Sequence, residues 1–477
     1  MNLTIPDLST EFSQVELGDY RRTCRLMCIA DAVAGAPGAG IPRQTGTEAA
    51  LEATYRFLNN QDVSPEDVLD GHLRMTAKRA VESGRVLVVH DTTKFTFGGE
   101  KLRSGLERSR GEQTQGFFSH FSFCLTDQGK PLGTIAMHAW ARHGKSKTPR
   151  AYHLSQWAPD KEFLRWHDGV ELAEERLQGH ACEVVHVMDR EGDCYELMAD
   201  MLDNERRFVI RLSHDRRLSP GRTRDPVAKL FSDLECAPVV MQREIALGAR
   251  TKKWSTDLKA RHLPRTARSA TLSIRAKTVE IFIGNGAPAH LLQSLRLNAV
   301  EVREVEPPGG EEPVLWRLIS TEPIETVDQI TAIVDIYRRR WTVEEFFKAL
   351  KTGCQYEKLQ LESAHSLLVA LAINTAVAWR LLLLRWASRE MPDAPAEAVL
   401  TGAQLAVLHR VGPKLRCPLP QHPTVLDALR VVARLGGHIK NNGPPGWLTL
   451  GRGFDKLLLL ELGWLAAQPK EKRSDQS

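Results

Sequence analysis

Short apolar runs divide the middle of the chain into strand-like segments. Val86–Val89 is a continuous apolar run that stops near Asp91, as a strand buried on both faces of a sheet would. The same reasoning predicts strands at 117–125, 132–140, 184–188 and 208–210, with helices over 161–177 and from about Tyr195. Three strands, a helix, a strand, a helix and a strand form the element order of a ribonuclease-H-like α/β domain.

The pattern differs on either side of this segment. Residues 16–82 are predicted to form short helices, residues 229–318 strands and turns, and residues 326–351 a long helix followed by apolar helices. We therefore predict an α/β protein in which a mixed-sheet, ribonuclease-H-like catalytic domain is interrupted by a β-rich insertion and has all-helical N- and C-terminal regions. The predicted boundaries are 1–82, 83–228, 229–318, 319–362, 363–470 and a polar, disordered tail at 471–477.

Composition narrows the class of protein. The chain has 477 residues with 42% hydrophobic and 26% charged positions, and its net charge of +5 permits a nucleic-acid partner only through a local basic patch. Cys24 and Cys28 lie one helical turn apart without a second ligand pair for zinc. The most apolar stretch, 367–384, is interrupted by Asn374 and Arg380, so we expect no membrane span and an intracellular protein.

Three acidic residues are candidates for catalysis. Asp91 and Asp189 each follow an apolar strand, and the carboxyl edge of an α/β sheet is where ligands usually bind. Aspartate is also a common strand terminator, so each one alone is weak evidence. Glu344 is the third candidate because of the helix in which it lies.

That helix carries an unusual polar face. Tyr337, Arg340, Glu344 and Lys351 point within roughly 60° of one another at about 100° per residue. By periodicity alone, a surface helix stabilised by the pairs of Glu344 with Arg340 and Lys348 is the simpler interpretation.

The spacing Tyr337-x2-Arg340-x3-Glu344-x6-Lys351 resembles the tyrosine–arginine–glutamate–lysine signature of the IS-four family of bacterial cut-and-paste transposases. Other strings are similar to that family over nearly the whole chain. They are Leu17-Gly18-Asp19 before Arg21-Arg22, Asp91-Thr92-Thr93, Asp189-Arg190-Glu191, and the weaker Ala433–Gly437 string.

The resemblance implies a metal-dependent DNA transposase. Asp91, Asp189 and Glu344 would hold two divalent metal ions, physiologically Mg²⁺, with Mn²⁺ as a substitute. The signature side chains Tyr337, Arg340, Lys348 and Lys351 would grip the DNA backbone beside the cut.

The resemblance also implies contacts outside the catalytic helix. Trp316 would stack on a base flipped out of a hairpin at the transposon end, although an ordinary core aromatic is an equal alternative. The N-terminal helices would recognise terminal inverted repeats through Arg21, Arg22, Arg25 and Arg56, which are otherwise a solvated face.

The implied partners are double-stranded DNA, as terminal inverted repeats and target DNA, and a second copy of the chain. Either 367–384 or the helix near 457–460 would supply the homodimer contact. Two alternatives stay open: a ribonuclease-H-like nuclease without strand transfer, and a catalytically silent DNA-binding regulator of transposition.

Overall fold

The computed structural model describes residues 8–106, 114–141, 163–220, 228–248, 265–284, 291–439 and 445–467. The polar tail at 471–477 and most of the basic cluster near 250–268 lie outside these residues.

Helices form the N-terminal region. Buried His72 of α5 contacts buried Glu11 of α1 through Nδ1 and Oε2 at 2.7 Å, which ties the first helix to the last. Ser64 caps α5 by accepting hydrogen bonds from two backbone N–H groups, and Pro65 occupies the first helical position. The described helices are α1 (Leu8–Phe12), α2 (Tyr20–Gly35), α3 (Ile41–Thr45), α4 (Glu48–Leu58) and α5 (Pro65–Ser83).

A mixed sheet forms the centre of the protein. In the part of the chain that the structure describes it has nine strands, in the order β3-β2-β1-β4-β5-β9-β8-β7-β6. The strands are β1 (Arg85–Phe97), β2 (Gln115–Thr126), β3 (Pro131–Trp140), β4 (Glu183–Met188), β5 (Arg207–Arg211), β6 (Met241–Leu247), β7 (Arg268–Phe282), β8 (Ser294–Glu304) and β9 (Leu315–Ser320).

The first five strands and the helices between them follow the element order that the sequence predicted. β1, β2 and β3 form an antiparallel meander, and β4 and β5 then add in parallel to the other side of β1. The connecting helices are α6 (Phe163–Leu177) and α7 (Tyr195–Asp203). The ribonuclease-H-like α/β fold class is confirmed.

The strands of the predicted insertion extend the same sheet. β9 pairs antiparallel with β5, and β8, β7 and β6 follow outward in antiparallel order. The short helix α8 (Leu230–Cys236) precedes them. Backbone hydrogen bonds therefore run without interruption from the meander to the edge of the β-rich region.

Helices complete the chain after β9. They are α9 (Val327–Arg339), α10 (Trp341–Lys348), α11 (Ala364–Glu390), α12 (Gly402–Val411), α13 (Val425–Leu435) and α14 (Trp447–Ala467). Helix α11 is long and apolar enough to cross a membrane, but 89% of its apolar window is buried inside the protein. Its Trp379 indole donates a hydrogen bond to the Pro131 carbonyl at 3.1 Å. These are the surroundings of a core helix.

Helices α13 and α14 meet at two glycines. A Cβ atom at Gly436 would lie 1.9 Å from the Thr449 carbonyl oxygen, and one at Gly453 would lie 2.0 Å from the Val432 carbonyl oxygen. Backbone cannot withdraw as a flexible side chain can, so the close packing of these helices requires glycine at both positions.

We predict that Gly453→Ala lowers the free energy of unfolding by about 1–3 kcal/mol, because the added methyl group forces the two helices apart. The measurement is denaturant unfolding of the full chain. Gly463→Ala is the matched control in the same helix, where a Cβ meets nothing within 4 Å. It should be neutral or stabilising by up to about 1 kcal/mol, and equal losses in both variants would contradict the packing argument.

Candidate active site

Asp91 lies on β1, and Asp189 directly follows the neighbouring parallel strand β4. The β1–β4 register pairs Val89 with Val187, so Asp91 and Asp189 each stand two residues beyond that pair. Side chains alternate along a strand and neighbouring strands are about 4.8 Å apart, which brings the two carboxylates side by side. Asp189 caps a short 3-10 helix by accepting the Glu191 N–H at 2.8 Å.

Glu344 approaches the aspartates from the helix above. Phe346 of α10 is fully buried and packs on β2 against Phe121 and Phe123, at ring-centroid distances of 5.4 and 4.6 Å. This packing fixes the rotation of α10 about its axis. Arg340, at the junction of α9 and α10, then bridges the site, with Nη1 3.2 Å from Asp91 Oδ2 and Nη2 2.7 Å from Glu344 Oε1.

The electrostatics of Asp91 reflect this crowding. The pKa of its carboxyl is raised to about 7, by burial above all and then by the charges of Asp189 and, more weakly, Glu344, against the opposing effect of Arg340. The mutual influence supports the proximity of all three acids. A site of this kind is electrostatically costly without a cation, and Arg340 supplies one within the chain.

The donor set fits hard divalent cations, since it offers carboxylate oxygens at one partly buried position. The carboxylate oxygens of Asp91, Asp189 and Glu344 do not all lie within 4.8 Å of one another. Among the described residues, three candidate ligand atoms within 4.8 Å of one another occur in a different cluster, formed by His167, Glu171 and Asp200. That cluster already contains a cation, because Arg206 pairs with Glu171 and lies 3.6 Å from Asp200.

The other signature side chains have distinct surroundings. Tyr337 is buried, with its ring against that of Trp316 at a centroid distance of 5.5 Å, so both aromatics belong to one contact. Lys351 donates a hydrogen bond to the Lys94 carbonyl at 2.6 Å, and burial lowers the pKa of its ammonium group. Lys348 is half-exposed and pairs with a neighbouring glutamate at 3.2 Å.

The N-terminal arginines lie apart from this site in separate local contacts. Arg21 is exposed and pairs with Asp19 at 3.1 Å, whereas Arg22 pairs with Asp62 at 2.6 Å. Arg25 is exposed. Arg56 is exposed and lies 3.5 Å from its helix neighbour Glu52.

Sequence reasoning missed one aromatic beside the site. Trp341 is 53% exposed, follows Arg340 directly, and has the Lys348 ammonium 5.0 Å from its ring centroid. The available signal was a tryptophan in the polar stretch that separates two apolar helical turns. An exposed indole of this size is a natural surface for stacking.

The Asp91 pKa predicts how stability depends on pH. A pKa raised from 3.8 to about 7 contributes stability that is fully present below pH 3.8 and is lost as pH rises through 7. In EDTA we therefore expect Asp91→Asn to raise the thermal unfolding midpoint at pH 8 and to change it less at pH 5. The measurement is calorimetry of both proteins at the two pH values.

Asp193→Asn is a control for which the expected change in the unfolding midpoint at pH 8 has the opposite sign. Burial raises the pKa of Asp193, but Arg216 and the N–H groups of Ser213 and His214 outweigh it and leave the pKa below its ordinary value. The stability from Asp193 is present above pH 3.8 and is lost as pH falls, so this variant should unfold at a lower temperature at pH 8. A pH-independent effect of Asp91→Asn would contradict the proposed crowding.

Two family models match the chain. One, described as transposase DNA-binding, matches residues 8–63, and the other, described as transposase DDE domain, matches residues 169–380. The second match contains Asp189 and Glu344, whereas Asp91 precedes it and is linked to them by the strand register and by Arg340. The chain therefore combines a transposase DNA-binding domain with a transposase DDE domain, which is the domain composition of a DDE transposase.

Proposed function

We propose that the protein is a DNA transposase of the IS-four family that binds terminal inverted repeats and excises the element. Excision would proceed by Mg²⁺-dependent phosphodiester hydrolysis through a hairpin intermediate, and the freed 3′ ends would be joined to target DNA. The observation that carries this proposal is the convergence of Asp91 and Glu344 on Arg340, with Asp189 at the end of the adjacent strand.

The three carboxylates are the proposed metal ligands. Bound Mg²⁺ would supply stabilisation of the charge on the attacking and leaving oxygens of the phosphodiester. Asp91 is held by β1, Asp189 by its position between β4 and the 3-10 helix that it caps, and Glu344 by a helix packed on β2, so each oxygen donor is on or beside a regular element. Rigid donors preserve their spacing when the substrate arrives.

Cations and aromatics around the acids are the proposed DNA contacts. Arg340, Lys348 and Lys351 offer guanidinium and ammonium donors for phosphate oxygens, and the Tyr337 hydroxyl offers one further donor. Trp316 is the proposed partner of the flipped base, and its contact with Tyr337 leaves the choice between that role and a core aromatic open. The exposed ring of Trp341 is a second candidate for base stacking.

Arg21, Arg22, Arg25 and Arg56 are the proposed readers of the inverted repeat, since all four lie within residues 8–63. The proposed active form is a homodimer on DNA in the bacterial cytoplasm, associated with the nucleoid. Helix α14 presents Leu459 and Leu465 to solvent and is the better candidate for the dimer contact, because the 367–384 segment is buried.

Cleavage of linear DNA bearing the terminal repeats tests the triad. We expect metal-dependent nicking, hairpin formation and double-strand cleavage by the wild type, and a loss of at least about a thousand-fold in Asp91→Asn, Asp189→Asn and Glu344→Gln. Glu191→Gln is the matched control, because Glu191 is an exposed acid two residues from Asp189. Full activity in any of these three variants would show that the substituted residue is not a metal ligand.

The same assay separates the alternatives. Cleavage without joining to target DNA would favour the nuclease, and repeat binding without cleavage would favour the silent regulator.

Arg340→Ala tests the proposed phosphate contact. We expect weaker binding of terminal-repeat DNA, with the slope of log affinity against log salt reduced by about one, because one phosphate partner is lost. Arg338→Ala is the control on the same helix, where the side chain is exposed and pairs locally with Asp335. An unchanged salt slope in Arg340→Ala would remove Arg340 from the DNA contact.

A further inference from the structure

Two histidines form a buried hydrogen-bonded pair on the face of the sheet opposite the acids. His90 of β1 and His186 of β4 are both fully buried, and His90 Nε2 lies 2.9 Å from His186 Nδ1. The pair continues at both ends. His90 Nδ1 lies 3.1 Å from the Ser122 hydroxyl, and His186 Nε2 lies 2.8 Å from Glu174 Oε1.

Both ring nitrogens of each histidine therefore lie within hydrogen-bond distance of a partner. The Ser122 hydroxyl donates its proton to the Gly169 carbonyl at 3.1 Å and so accepts from His90 Nδ1. Burial, together with the neighbouring imidazoles, lowers the pKa of His90 well below its ordinary value, which is consistent with a neutral ring.

The pair lies at the last point where β1 and β4 are joined. Backbone pairing of the two strands ends at Val89 and Val187. Beyond it, β1 continues along β2 only, and the chain after Met188 turns into the short 3-10 helix. The side-chain bond from His90 to His186 is therefore the nearest cross-strand link to Asp91 and Asp189 on this face.

A buried, hydrogen-bonded imidazole pair restricts the relative position of two strands more strictly than an apolar pair does. A buried polar group without a partner costs roughly 1–3 kcal/mol, and a shift of β4 against β1 would break the hydrogen bond between these two buried rings. Leucine or valine at these positions would tolerate small displacements. The histidines thus penalise a change in the relative position of the two strands that carry the aspartates.

We propose that His90 and His186 are a positioning pair that holds Asp91 and Asp189 at the spacing required by bound divalent cations. This inference rests on the proposed metal-binding role of the two aspartates. Neither histidine touches the acids' own face of the sheet, so both act through the strands rather than as ligands. Mutation of residues that orient metal ligands commonly lowers metal affinity by 10–100-fold.

Calorimetric titration of the full chain with Mn²⁺ tests the proposal. His186→Leu should bind Mn²⁺ about ten-fold more weakly than the wild type, because His90 loses its partner. His186→Asn, whose side-chain amide takes the place of Nδ1 as the hydrogen-bond partner of His90, should bind within about two-fold of the wild type. Rescue by asparagine but not by leucine is a result that packing volume does not explain.

His72→Leu controls for a general loss of stability. His72 is also fully buried and hydrogen-bonded to a carboxylate, but it joins helix α5 to Glu11 of α1 and does not lie between the two strands that position the aspartates. It should lower the unfolding midpoint and leave Mn²⁺ affinity unchanged. If His186→Leu does not fold, the double variant His90→Leu/His186→Leu leaves no imidazole unpaired and serves for the same comparison.

The possible failures are distinguishable. If the wild type binds Mn²⁺ no better than Asp189→Asn, the proposed metal site fails, and the positioning role with it. If the wild type binds and the folded leucine variant binds equally well, the metal site stands and the positioning role is overturned. Equal losses in His72→Leu and His186→Leu would also overturn it.

Discussion

The need to neutralise three converging carboxylates is the constraint on which the site depends. Asp91 is buried beside two other acids, and its pKa is raised to about 7 as a result. Arg340 meets part of this need, because it bridges Asp91 and Glu344 with its two terminal nitrogens. A planar guanidinium can bind two carboxylates at once, because its N–H donors point in different, fixed directions. Arg340 consequently holds the carboxylates of Asp91 and Glu344 near one another.

The placement of those acids follows from simple periodicities. On β1 and β4 the residues with the parity of Val89 and Val187 face the α10 side, so both aspartates face that side too. On α10, burial of Phe346 against β2 turns Glu344 toward the strands. Opposite parity puts His90 and His186 on the far face, where they bond to each other. Alternation along two strands therefore separates the acids from the residues behind them.

The sequence predicted local features better than distant ones. The apolar run Val86–Val89 correctly indicated a buried strand, but β1 continues through Asp91 to Phe97, because pairing with β2 extends further than the apolar run. The helix predicted over 326–351 is divided at Arg340, which binds the carboxylates of Asp91 on β1 and of Glu344 on α10. The edge-to-edge addition of β9 to β5 depends on pairing across more than a hundred residues, which no local pattern encodes. The Tyr337–Trp316 contact escaped prediction for the same reason.

Arg340 links the acids and the proposed substrate in one residue. A guanidinium bound to Asp91 and Glu344 has committed the nitrogens that a phosphate would need for a two-point contact. Under the proposed function, metal ions held by the carboxylates would remove the electrostatic reason for that commitment, and the Arg340 side chain would be free to bind DNA phosphate. Under the proposed function, the residue that stabilises the metal-free acids is therefore also the one that binds the substrate.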